Sequence, residues 1–228
     1  MTRQVCELEA AAENGRQHIS IQGLIYYHKV ASAFHRTYTL CDSSICVSCF
    51  RSRTHESDSM NSAWKTVLWQ QFGAAIDMLE NAINACPQTL WEDHTRNPEY
   101  WYVAYHTLFY LDFYFSDSAD GFAPPSPFGL EELDPAGVLP PRMYSKDELL
   151  TYLAHCRDKC RVVIRGLTEE KAHSQCGSLR PGLSFGELYL YVMRHVQHHA
   201  GQLNLILRQT IGSAPRWVSK ASQPFDEE

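Results

Sequence analysis

Residues 184–212 decide the class of fold: Ser184-Phe-Gly-Glu187-Leu188-Tyr-Leu-Tyr-Val192-Met-Arg194-His195-Val-Gln-His198-His199-Ala200-Gly-Gln202-Leu203-Asn-Leu-Ile206-Leu-Arg208-Gln-Thr-Ile-Gly212. Ser184 with Glu187 three residues later is a capping box, in which each residue satisfies an orphan amide of the other at a helix start. Gly212 supplies the stop, because glycine accepts the left-handed conformation that ends a helix. Between them Leu188, Val192, His195, His199, Gln202 or Leu203, and Ile206 recur at helical spacing. The stretch therefore predicts one long helix over 184–211, with two histidines four residues apart on its inward stripe.

Three earlier segments carry the same grammar. The first runs from Ser62 to Cys86. Asn61 or Ser62 caps it, Pro87 ends it, and Trp64, Val67, Leu68, Phe72, Ala75, Ile76, Leu79, Ala82 and Ile83 form its stripe. The second starts at Asn97-Pro98, a cap residue followed by proline at the first helical position. It continues through Tyr102, His106, Phe109 and Phe113 to Ser116. The third opens on another capping box, Ser145 to Glu148, and puts Leu149, Leu153, Cys156, Cys160, Ile164 and Leu167 on one face. No segment shows the strict alternation that a sheet requires. Four helices with one apolar face each are expected to pack as an all-α, up-and-down four-helix bundle. A long Pro-rich loop, residues 117–143, joins helices two and three; connections of that length usually carry function or are disordered.

Composition bounds the rest. The chain has 228 residues, 44% hydrophobic, 12% aromatic and 20% charged, enough apolar matter for a packed core. A net charge of -6 argues against a nucleic-acid binder that works through a basic face. No run of about 18 apolar residues offers a membrane span. The start of the chain lacks a clean apolar run followed by a cleavage site. The eight cysteines are accordingly expected to be reduced thiols in a cytoplasm.

Eleven histidines are many for this length, and their placement carries the chemistry. His195 and His199 sit one turn apart on one face, and His106 lies on the stripe of the second helix. A buried imidazole has a donor and an acceptor to satisfy. The three rings are either core histidines held by tyrosine hydroxyls and backbone carbonyls, or ligands of one divalent ion. Three histidines without a fourth protein ligand leave open positions, the pattern of a catalytic rather than a structural site. All-nitrogen ligation suits Zn, Ni, Fe(II) or Co.

The run His195-x-x-x-His199-Ala-Gly-Gln202, behind a helix carrying Tyr105-His106-Thr-Leu-Phe109, resembles the DinB-like superfamily of four-helix proteins, the DinB and YfiT type. The tail Pro215-Arg-Trp217-Val218 is similar to the family's ending, and the likeness covers about residues 60 to 225. The resemblance implies one divalent metal, usually Zn or Ni, held by His106, His195 and His199, and a homodimer in many relatives. It further implies a small-molecule substrate, with either a transferase or isomerase that uses a low-molecular-weight thiol, or a hydrolase that activates water. A non-catalytic metal-binding or dimerisation module is the alternative; it is expected to close the ion's remaining positions with a side chain such as Gln202 or a residue of the long loop. Two features depart from the family pattern: Ala200 stands where Arg is usual, and the loop 117–143 is longer.

Other residues are weighed on the same footing. Gln202, three residues after His199, is a candidate outer partner for a ligand ring. His198 lies about 100 degrees off the pair's face. Tyr102 and Tyr105 either place a hydroxyl near the metal or belong to the core. Asp112 lies off the face of His106. Cys156 and Cys160 read as small core residues rather than a redox pair. In residues 1–59, Cys41-x4-Cys46-x2-Cys49 with His35 or His55 is a weak zinc pattern. No sustained period runs through this extension. It is expected to be poorly structured and dispensable, an upstream start before the 60–228 domain. Arg194 and Arg208 are the nearest cations on the fourth helix.

Overall fold

The computed structural model describes residues 54–225. The sequence before residue 54, with Cys41, Cys46 and Cys49, and the side chains of His35 and His55 lie outside the described residues.

The described chain is all-helical. Four long helices, α1 (Thr54–Ala85), α3 (Tyr100–Tyr114), α4 (Lys146–Gly166) and α6 (Phe185–Ile211), alternate with the short α2 (Gln88–Trp91) and α5 (Glu169–His173). No strand occurs among the described residues; an isolated antiparallel bridge joins Gln175 to Ser184. Both capping boxes form. Ser145 accepts from the Glu148 amide and Ser184 from the Glu187 amide, and each glutamate returns a bond to its cap. Gly212, at φ 71°, ends α6 as expected.

Two helix starts differ from the sequence reading. α1 begins at Thr54 and passes through Met60, so the proposed boundary falls inside a helix. α3 begins at Tyr100 with Glu99 in the cap position, two residues after the expected Pro98. Glu99 makes no side-chain cap bond, because its carboxylate is taken by the Trp101 indole at 2.5 Å and by His94 at 2.8 Å.

The principal packing pairs are α1 with α6, α3 with α6, α1 with α4, and α3 with α4. Each long helix thus packs on two others. The principal partners of α1 and α3 are α4 and α6, not each other, although α1 and α3 are consecutive. Simple up-and-down connectivity puts consecutive helices side by side. The connections 86–99, 115–145 and 167–184 are long enough to carry the chain to the far side instead.

The core shows why α3 ends up central. Of its fifteen residues only His106 and Tyr110 escape full burial. Its sequence, YWYVAYHTLFYLDFY, is apolar nearly all round, and such a helix must be covered on every side. The segment 115–145 supplies one cover. Phe122 packs against Phe109 and Phe113 at 5.6 and 5.2 Å, and Phe128 stacks on Tyr152 at 4.3 Å and on Tyr105 at 5.9 Å. Each large side chain buried in this way contributes about 1.5–3 kcal/mol. α4 buries the predicted stripe of Leu149, Leu153, Cys156, Cys160 and Ile164. On α1 the stripe holds from Leu68 onward, whereas Trp64 and Val67 are exposed.

A tail closes the molecule. Residues 213–225 run back along α1, where Ala221 N donates to Gln70 O at 2.9 Å, the Trp69 indole donates to Gln223 O at 3.0 Å, and Ser222 N donates to Asp77 at 2.6 Å. Gly73 makes this approach feasible: a Cβ there would stand 2.6 Å from the Ala221 methyl.

Candidate metal centre

α3 and α6 are a principal packing pair, and this pairing brings His106 to His195 and His199. One ring nitrogen from each lies within 4.8 Å of the others. The ring centroids are 5.4 Å apart for His106 and His195, 5.0 Å for His106 and His199, and 4.5 Å for His195 and His199. All three histidines are half-buried.

The histidine face of α6 is not its core face. The buried positions are Phe185, Leu188, Tyr189, Val192, Val196, Ala200, Leu203, Asn204 and Leu207. The core line therefore passes one residue after each ligand candidate. His195 and His199 stand at its edge, about 100 degrees round the helix from Val196 and Ala200. The sequence stripe merged the two faces. Ala200 is fully buried, so the position that carries Arg in the resembled pattern is a packing position here.

The hydrogen bonds settle the tautomers of two rings. His106 Nδ1 lies 2.8 Å from Glu132 Oε2, and an ionised carboxylate only accepts. His106 therefore carries its proton on Nδ1 and presents a lone pair on Nε2. His199 Nδ1 lies 2.7 Å from Gln202 Oε1, which likewise leaves His199 Nε2 as a lone pair. His199 Nε2 and His195 Nε2 are 3.1 Å apart. Bonds of about 2.0–2.1 Å to one ion, at angles between square and tetrahedral, put ligand nitrogens about 3.0–3.4 Å apart. Burial, with His106 as the next contributor, holds the His199 imidazolium at a pKa of about 3, so this ring is neutral and ready to ligate.

Glu132 is the residue that the sequence did not reveal. It lies on the 3-10 turn Glu131–Leu133 inside the 115–145 segment, 26 positions from His106. Its side chain is only 2% exposed, and its hydrogen-bonding neighbours are the His106 ring and the Tyr102 phenol. A buried carboxylate is costly unless positive charge or donors compensate it. Its one ion-pair partner among the described residues is His106. A divalent ion held by the three imidazoles fits this donor set and would supply that positive charge. No local motif marked Glu132; only its position in a long, aromatic-anchored loop hinted at a role.

The remaining candidates fall into place around this centre. Gln202 is the outer partner of His199, as expected. Tyr110 was overlooked: its ring is 4.8 Å from His106 and 5.9 Å from His195, and its hydroxyl donates to Glu132 O at 3.0 Å. Burial pushes the Tyr110 phenol up to about 12, so it stays protonated and a donor. Burial, with the Glu132 carboxylate next, also raises Tyr102, whose ring is 6.3 Å from His106. Tyr105 belongs to the core. His198 is exposed beside His199 and outside the cluster. Asp112 is 1% exposed and bound to Lys159 at 2.5 Å and Tyr152 at 3.0 Å, which ties α3 to α4. Cys156 and Cys160 are fully buried, and burial raises both thiols, so neither is a ready nucleophile.

Comparison with known proteins agrees with this geometry. The family model described as the DinB superfamily matches residues 67–203, a span that holds all three histidines. No curated protein and no solved structure matches the chain.

Proposed function

This chain belongs to the DinB superfamily, and from that premise we propose that it is a metal-dependent enzyme acting on a small molecule. Its site is the Nε2 atoms of His106, His195 and His199, set between the packed helices α3 and α6. Zn and Ni are the ions that the family resemblance implies, and the all-nitrogen set admits both.

When bound, such an ion supplies Lewis acidity, which lowers the pKa of a water or of a low-molecular-weight thiol at its open positions. The protein's own part is to prepare the ligands. Glu132 and Gln202 hold the Nδ1 protons of His106 and His199, which keeps both Nε2 lone pairs aimed inward. Tyr110 holds the backbone of Glu132 and walls the histidines with an apolar ring.

One observation favours an enzyme over a closed binding module. Gln202, and Glu132 from the long loop, are both committed to Nδ1 atoms of the candidate ligand rings. An ion held by the three Nε2 atoms would then keep positions for a substrate.

The test is metal content by elemental mass spectrometry on the full chain, beside His106→Ala and His195→Ala. Near-stoichiometric metal in the parent, lost from both variants, is the expected result. Turnover of an electrophile with a thiol, or of a hydrolysable substrate, then separates the two reactions. A parent that takes up no Zn or Ni at neutral pH would return the three histidines to the core reading.

A further inference from the structure

We propose that Glu132 is a positioning residue for the metal centre, and that through it the segment 115–145 sets the site's affinity for the ion. The proposal rests on the three-histidine reading above.

The geometry is that of a carboxylate–histidine pair behind a metal ligand. Glu132 Oε2 meets His106 Nδ1 at 2.8 Å, which leaves Nε2 as the ring's lone pair. Such a partner fixes the ring's tautomer and orientation and makes its other nitrogen a better electron donor. The carboxylate is 2% exposed, its donors are the His106 ring and the Tyr102 phenol, and its ion-pair partner among the described residues is His106. A cation on the far nitrogen of that imidazole would compensate the buried charge.

The segment holds Glu132 in place through its backbone and its aromatic anchors. Tyr110 donates to Glu132 O at 3.0 Å, and Tyr105 donates to Gly129 O at 3.5 Å. Phe128, four residues upstream, is clamped between Tyr152 and Tyr105. The adjacent Glu131 takes another course: its carboxylate folds back over Gly129, where an added Cβ would meet it. The coupling is reciprocal: whatever moves the turn Glu131–Leu133 weakens the ion, and the ion steadies the turn.

The experiment uses the full chain with zinc alone. Zinc affinity is measured by competition with a chromophoric chelator for the parent, Glu132→Gln, Glu131→Gln and His106→Ala. Glu132→Gln is expected to bind about 10–100-fold more weakly, with Glu131→Gln matching the parent. At saturating cobalt, Glu132→Gln is expected to show a shifted visible absorption band while its metal-free melting curve stays that of the parent. Parent-like zinc affinity in Glu132→Gln, or an equal loss in Glu131→Gln, would overturn the proposal. A parent that binds no zinc sinks the site itself and the proposal with it. Should Glu132→Gln not fold, limited proteolysis of the parent decides: zinc slows cleavage within 117–143 if the proposal holds, and leaves it unchanged if it does not.

Discussion

His199 concentrates the chemistry of this protein in one ring. Burial and the nearby His106 hold its pKa at about 3, against about 6.5 for a free imidazole. In the unfolded chain this ring takes a proton as pH falls through about 6.5, whereas in the folded chain it does not. The unfolded state then binds more protons, so the stability of the metal-free protein is full above that range and declines as pH falls toward about 3. Urea midpoints of the metal-free chain are expected to drop between about pH 7.5 and about pH 5, with a flatter profile in His199→Gln. An equal slope in the two proteins would refute the assignment. Asp112 makes a second case at the level of single residues. Its carboxylate is buried against Lys159 and Tyr152, with His155 at 3.5 Å, so Lys159→Ala removes its nearest cation and is expected to destabilise by about 1.5–3 kcal/mol in chemical denaturation.

α6 and α3 show what helix patterning does and does not convey. The capping boxes were readable because they need only a serine and a glutamate three residues apart. Ser184→Ala is expected to cost about 1 kcal/mol, measured by denaturation, since it frees the Glu187 amide at the start of the site's helix. The register of α6 was less readable. Histidine is tolerated on either side of a core stripe, so the ligand line and the Val196–Ala200 core line merged in the sequence. α3 was read as one-faced, yet it is buried all round because 115–145 covers it. Phe109, fully buried against Phe122, should therefore behave as deep core. Phe109→Ala is expected to lose about 3–5 kcal/mol; a loss typical of a surface position would show that the cover is not formed in solution.

The assembled chain adds linkages that no single helix has. An ion that binds only the folded form stabilises it by about 2.7 kcal/mol at a hundredfold excess over its Kd. Zinc or nickel is thus expected to raise Tm in the parent and not in His195→Ala, by calorimetry. The tail along α1 and the N-terminal end of α1 bear on truncation in opposite ways. The described side chains of α1 are buried only from Leu68 onward, and a chain starting at Met60 is expected to keep its helicity by circular dichroism. Removal of residues 213–225 uncovers Trp69 and the Asp77 carboxylate and is expected to lower Tm. No helix among the described residues is long and apolar enough to cross a membrane.

The sequence by itself determined the helices, because periodicity, caps and breakers are local properties of a chain. It also determined the three histidines as a set, since an i, i+4 pair and a third ring on an aromatic helix are visible without coordinates. Tertiary structure alone decided which helices touch, because the connections are long enough to permit several orders. It alone revealed Glu132. That carboxylate lies 26 residues from His106 on a turn with no motif of its own, and only the packing of Phe122 and Phe128 onto α3 and α4 delivers it to the ring.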